Sequence, residues 1–201
     1  MKYFNTLPKI ITSDNNSNGI LLTNIMARAS VIPEALKNPV LYYTYDIQEG
    51  DTPEIIAHKY YDDPYRYWIV LFTNQITDPQ WDWPMSSSVF EKYLIKKYDA
   101  TDIDIYADVH HFEKTDIQTD INTQTITRNT VTIGLDQFLE LTSSETNTYT
   151  LPTGAVTVNV FSRAVSYYEY EDELNESKRN IKLLNKSYVD EFESELKRLM
   201  S

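Results

Sequence analysis

The stretch from Tyr45 to Asn74, YDIQEGDTPEIIAHKYYDDPYRYWIVLFTN, leaves its part of the chain little choice but a strand, a tight turn and two short helices. Tyr43, Tyr45 and Ile47 alternate with polar or smaller neighbours, the period of a half-buried strand. Gly50, between Glu49 and Asp51, then supplies the conformational freedom for a reversal. Asp51 or Thr52 can cap a helix by accepting from an unpaired backbone N–H, Pro53 lacks an N–H where none is needed, and Glu54 suits the positive helix end. Ile55, Ile56 and Tyr60 are expected on its buried face. A second start in Asp62-Asp63-Pro64 leads to a stripe of Tyr67, Trp68, Leu71 and Phe72, with Asn74 as a left-handed stop. Trp68 falls on that stripe and is assigned to the core.

The flanks read differently. Residues 1–40 are broken by Leu7-Pro8, Asp14 to Asn18, Ile32-Pro33 and Asn38-Pro39, so they form an extended arm that wraps its own domain or lies along a partner. Pro84 closes the module at 41–85. Within 86–201, Ser88 to Glu91 has the form of a capping box and opens a helix reaching Tyr98, with Val89, Phe90, Tyr93, Leu94 and Tyr98 on one face. From Asp102 to Tyr170, Thr, Ile and Val in short alternating runs predict strands. The expected inward sets are Ile103 and Ile105, Ile117 and Ile121, Val131 and Ile133, and Val156, Val158 and Val160. Asp136 to Leu141 reads as a short helix, Asn122 to Thr125 and Thr142 to Thr148 as hairpin tips, and Pro152 to Gly154 as a turn. Ile181 to Leu184 predicts a strand after Asn175 to Asn180. A last helix from Asn185 or Ser187 carries Val189, Phe192, Leu196 and Leu199 as a seam, with Glu193 one turn from Lys197.

Composition narrows the function. A formal charge of −12 opposes contact with nucleic-acid phosphates. The chain has no cysteine, hence no disulfide, thiolate metal site or cysteine nucleophile, which fits assembly in a reducing cytoplasm. No segment approaches the ~20 apolar residues that cross a bilayer, and the start has no export signal. Four separated glycines cannot build a phosphate cradle. His58 lies on a helix face, while His110 and His111, adjacent in a strand, are expected on opposite faces and cannot share a metal. Glu49, Asp51 and Glu54 are accounted for by turn and helix-start roles rather than as a glycosidase pair. No catalytic, cofactor or metal site is predicted.

The strand–helix–helix plan resembles a LysM module, through the QEGDT turn at Gln48 to Thr52, the IAHKYY helix and the segment from Trp68 to Pro79. Its return strand is expected near Trp81 to Pro84 and irregular. Beyond the module, the chain resembles the LysM-like baseplate wedge proteins, gene product fifty-three, of T-even-like contractile-tailed phages. The resemblance runs through FNTLP at Phe4 to Pro8, TNIMARASVI around Arg28, EGDTPEIIAHKYY, YWIVLFTN, Trp83-Pro84, VHHFE at Val109 to Glu113 and NESKRNIKLL at Asn175 to Leu184. Residues 115–165 match least.

The expected fold is α+β: a small LysM-like βααβ module joined to a β-rich domain, with an extended N-terminal arm and a C-terminal helix. The resemblance implies a structural protein of the virion tail baseplate, not an enzyme, assembled in the host cytoplasm. Its implied action is to clamp neighbouring wedges as the baseplate closes around the hub. Implied partners are other wedge proteins, including the wedge core of adjacent wedges, with sheath-initiator and hub proteins beside them. Neither nucleic acid nor membrane is among them. Large aromatics and Arg dominate interface energetics, which makes Tyr65, Arg66, Trp81 and Trp83 the expected anchors. Arg28, Arg179 and Lys182 are the electrostatic candidates. The alternative is a LysM-type glycan module binding peptidoglycan or chitin through Asp51, Thr52 and Ile76 to Asp78.

Overall fold

A computed structural model of the chain describes residues 3–13, 19–27, 29–31, 37–99, 101–141, 145–151 and 154–200. It is a mixed α and β structure that divides into two compact units, Met1–Ser88 with Asn175–Ser201, and Val89–Leu174.

The first unit is built on the predicted strand and helices. Strand β3 (Tyr42–Asp46) leads through the Gly50 turn, at φ +82°, into α1 (Pro53–Tyr61). Thr52 is the cap, its hydroxyl accepting from the Ile55 N–H at 3.3 Å. The face of α1 that is buried is Pro53, Ile56, Ala57 and Tyr61, while Ile55 is exposed and Tyr60 half-buried. Asp63 caps a 3-10 turn at Pro64–Arg66, from which α2 (Tyr67–Thr73) continues. Asn74 is not left-handed; that conformation falls on Gln75, at φ +57°. Asn74 spends its side chain elsewhere, donating to the Val70 and Lys182 carbonyls and accepting from the Lys182 N–H.

The strand partner of β3 is the main departure from the sequence expectation. Trp81 lies in a short helix, α3 (Pro79–Asp82), and no strand follows it before α4 (Ser87–Tyr98). β3 pairs instead with β8 (Asn180–Leu184), antiparallel, Tyr42 opposite Leu184 and Asp46 opposite Asn180. Ile181, Leu183 and Leu184 of β8 are buried, and so join the core with Ile47, Ile56, Trp68, Ile69 and Val70. β8 therefore stands where a return strand near Trp81 to Pro84 was expected.

The C-terminal helix α7 (Val189–Met200) closes that core. Asn185 caps the 3-10 turn before it through the Ser187 N–H at 3.1 Å. Val189, Leu196 and Met200 are buried, Phe192 stacks on Trp68 with centroids 6.0 Å apart, and Leu199 is exposed, so the seam ends on Met200 rather than Leu199. Toward the other end, the arm contains a hairpin of β1 (Lys9–Ser13) and β2 (Gly19–Thr23).

The second unit holds a four-stranded antiparallel sheet in the order β5 (Ile126–Ile133), β4 (Val109–Asp120), β7 (Gly154–Ser166), β6 (Glu145–Leu151). Ile103 and Ile105 precede its first strand. Ile117, Val156, Val158 and Val160 are half-buried, whereas Ile121 and Val131 are exposed. The predicted short helix is α5 (Leu135–Glu140), whose Phe138 stacks on Phe112 at 4.4 Å. Asn122 to Thr125 forms the β4–β5 tip; the predicted turn at Pro152 and Thr153 and the residues 142–144 of the other tip lie outside the described residues. Residues 145–148 are strand.

The aromatic and acidic run after the sheet is a helix, α6 (Tyr167–Glu176). On it Glu171 is buried and accepts from Lys97 Nζ at 2.5 Å and the Tyr98 hydroxyl at 2.8 Å, which ties α6 to α4. Burial raises the Tyr98 pKa to about 12, helped by the Glu171 carboxylate. Phe90 and Leu94 are the buried residues of α4, with Val89 exposed.

Candidate partner-binding surface

The surface around the Gly50 turn is organised by one buried carboxylate. Asp51 accepts from the Tyr45 hydroxyl at 2.7 Å, Lys59 Nζ at 2.6 Å and the Gln48 N–H at 3.2 Å. Burial pushes its pKa up, but the bonds from Lys59, Tyr45 and Gln48 outweigh that and hold it below the ordinary Asp value. Burial, the hydrogen bond to Asp51 and its charge push the Tyr45 hydroxyl up to about 12. The Asp51 carbonyl in turn accepts from Trp83 Nε1 at 2.9 Å.

That last bond fixes the role of Trp83. Only 9% of it is exposed, and it belongs to the core cluster, so its indole locks the turn and offers a partner little surface. Trp81 is the opposite case. Asp78 starts α3 by accepting from the Gln80 N–H at 3.0 Å, and the Asp82 carboxylate returns to the Asp78 N–H at 3.1 Å. This locally capped turn leaves Trp81 54% exposed, while Lys178 Nζ donates to its carbonyl at 2.7 Å. Tyr65, set by the Asp63 cap at 2.9 Å, is 56% exposed.

Arg66 and Arg179 are both engaged within the chain. Arg66 donates from Nε to Glu193 at 3.1 Å and from Nη2 to Asp190 at 2.8 Å, bracing α2 against α7. Desolvation lowers its pKa, and the two carboxylates more than restore it. Glu193 thus meets Arg66 across the fold. Arg179 grips both carboxylate oxygens of Glu176 at 2.7 Å and reaches the Ile47 carbonyl at 3.3 Å, which ties β8 to the turn. Lys182 is exposed on β8 opposite Thr44, its backbone clamped by Asn74. Arg28 lies outside the described residues.

A shallow cleft of about 220 Å³ runs along Gln48 to Thr52, Trp83 to Ser86 and Arg179. On its rim Glu49 accepts from the Ser87 N–H at 2.8 Å, so the start of α4 is served by a carboxylate far away in sequence. The capping box at Ser88 and Glu91 is not where that helix begins.

Elsewhere, the backbone shifts register between Val109 and His111, and the two histidine rings meet, Nδ1 to Nδ1 at 2.9 Å, instead of pointing to opposite faces. His111 Nε2 also contacts Glu113 at 3.1 Å, and Arg163 bridges Glu113 and Glu173. Even so, no group of three or more His, Asp or Glu among the described residues is arranged to hold a metal. No helix among them is long and apolar enough to cross a membrane.

An Asp-Pro start precedes both Tyr65 and Trp81: Asp63-Pro64 predicts a helix start, while Asp78-Pro79, which carries the same signal for a short capped turn, was not among the predicted starts. Nothing local announced Asp51 as the hub, because its partners come from a strand, a helix and a loop.

Comparison with known proteins gives a consistent answer. The baseplate wedge protein gp53 of Enterobacteria phage T4 is 26% identical over 169 residues, covering 78% of this chain and 72% of that protein. The family model described as base plate wedge protein 53 matches residues 3–199. With nearly its whole length matched, the chain belongs to the base plate wedge protein 53 family.

Proposed function

We propose that this chain joins neighbouring wedges of a contractile phage tail and clamps them together as the baseplate closes around its hub. In this reading the first unit is a LysM-like head whose return strand, β8, arrives only after the second unit has been threaded. The observation that carries the proposal is the display of Tyr65 and Trp81, both more than half exposed on separately capped turns, while Trp68 and Trp83 are consumed in the core. Large aromatics held rigidly on a surface lose little entropy on contact and make strong anchors. Lys182 and Arg28 add charge for acidic or carbonyl groups on a wedge-core polypeptide of the adjacent wedge, or on sheath-initiator and hub proteins. Arg66, Trp83 and Arg179 act by holding that surface in shape.

The test is reconstitution. Wedge assemblies prepared without the chain should bind it and close into rings visible by electron microscopy. Wedges that close equally well in its absence, or do not bind it, refute the proposal.

Glycan binding is the second reading, since the cleft includes Asp51 and Thr52, two of the residues expected to hold sugar, though not Ile76 to Asp78. At about 220 Å³ it is smaller than the roughly 300 Å³ at which ligand pockets begin, and its carboxylates already serve the fold. Retention on chitin that Thr52 or Asp78 substitutions abolish would favour this reading over the first.

A further inference from the structure

The hairpin near the N-terminus is rooted at both ends and covered at neither face. Before it, Leu7 is buried in the core of the first unit and Tyr3 packs on Trp68, centroids 5.5 Å apart. After it, Ala27 and Ala29 pack against the same core. The Asn24 N–H donates to the Pro8 carbonyl at 2.7 Å and closes the root. Between these points every residue of β1 and β2 is exposed.

Its residues are wrong for water. Ile10 stands opposite Leu22 and Thr12 opposite Ile20, while Ile11 stands opposite Leu21. Side chains alternate along a strand, so the first two pairs line one face and the Ile11–Leu21 pair the other. Ile11 is 78% and Leu21 59% exposed, and Ile25 and Met26 continue the apolar surface beyond the root. A two-stranded ribbon gains little stability of its own in water, and an uncovered apolar one invites association.

Charge selects what covers it. Lys2, Lys9 and Arg28 against Asp14 give the first 31 residues a charge of +2, so the rest of a chain of −12 carries −14. We infer that the β1–β2 hairpin is a docking finger, inserting both apolar faces into an acid-rimmed apolar groove on another baseplate wedge polypeptide. A second copy is disfavoured, because two whole chains of −12 each repel. The inference rests on the wedge-joining function proposed above and adds to it a specific contact element.

The experiment uses the full chain and wedge assemblies reconstituted without it, with binding measured by fluorescence anisotropy. Two double variants are compared, Ile11→Ser with Leu21→Ser, and Ile10→Ser with Leu22→Ser. A fully buried Ile or Leu side chain is worth roughly a factor of ten or more in affinity, so each pair should weaken binding by about a hundredfold or more. Unfolding midpoints read by tryptophan fluorescence should not move, because these side chains touch solvent in the free chain. A cross-linker placed at Leu21 should capture a wedge polypeptide.

If both variants bind like the wild type, the finger is refuted while the wedge-joining function stands. A wild type that does not bind removes both. Loss of self-association in sedimentation, with wedge binding intact, makes the occupant a second copy and overturns the inference. A fallen unfolding midpoint shows the faces to be covered by the chain itself, and overturns it equally.

Discussion

Replacing Asp51 by Ala should destabilise the first unit by about 3 kcal/mol, and the parts of that figure can be separated. The Asp51–Lys59 pair adds little, because the Lys59 side chain is 56% exposed and its ammonium can return to water, the regime in which ion pairs give about 0–1 kcal/mol. Most of the loss comes from the Tyr45 hydroxyl and the Gln48 N–H, which donate to a carboxylate that is nearly buried. Charge-assisted bonds of this kind are worth roughly 1.5–3 kcal/mol each in full burial, and about half that for half-buried donors that partly rehydrate. Asp51→Asn keeps one acceptor but turns an amide toward Lys59, and should cost about 2 kcal/mol.

Urea unfolding followed by tryptophan fluorescence isolates the effect, since all three tryptophans, Trp68, Trp81 and Trp83, lie in the first unit. The pH dependence has a definite sign. The Asp51 pKa is lowered in the folded chain, so its contribution is complete above the ordinary Asp range, near pH 4, and is lost as pH falls through the lower folded value. The gap between wild type and Asp51→Asn should therefore hold from pH 7 to about pH 5 and narrow only below about pH 4. A loss below about 1 kcal/mol for Asp51→Ala, or a gap that already closes at pH 6, refutes Asp51 as the hub of the turn.

Other outcomes follow from the same geometry. Residues 41–85 expressed alone should remain unfolded by circular dichroism, because β8, Val189, Leu196 and Met200 are missing from their core. Excising residues 89–174 and bridging the ends with a short flexible linker should leave a cooperative tryptophan transition, because Asn175 already exchanges hydrogen bonds with the Met85 N–H and carbonyl. Thr52→Ala removes the cap of α1 and should lower stability by about 1 kcal/mol in the same urea assay, with Thr52→Ser restoring most of it. At high pH the raised Tyr45 value means its contribution is intact below the ordinary tyrosine range and disappears as pH rises through about 12. The difference in phenolate absorbance between wild type and Tyr45→Phe should accordingly appear about two units above pH 10.

The elements that could be read from the residues are those whose causes lie within a few positions. Thr52 and Asp63 each accept from an N–H two or three residues on, so a cap next to a proline fixes the start of a helix or turn wherever the chain goes afterwards; Asp78 does the same before Pro79, where a return strand rather than a helix was expected. The β3 strand, the α5 interruption and the β4–β5 tip were legible for the same reason. The run from Tyr167 to Glu173 was not, because dense aromatics fit helix and strand alike, and its helix depends on Glu171 finding Lys97 and Tyr98. His110 and His111 were misplaced because a register shift is decided by the neighbouring strand, which the local alternation does not contain.

Alone, then, the sequence determined the caps and alternation around Tyr45 to Asn74, the proposed contact residues Tyr65, Arg66, Trp81 and Trp83 as a set of candidates, the acidic balance and the family to which the chain belongs. Tertiary structure decided which members of that set face outward: Trp81 and Tyr65 are displayed, whereas Trp83 is drawn onto the Asp51 carbonyl and Arg66 onto Glu193 and Asp190. It also decided that β3 is completed by a strand more than a hundred residues away. The physical reason is common to both: caps and alternation are settled by contacts between near neighbours, while burial and strand pairing go to whichever distant segment covers the most apolar surface.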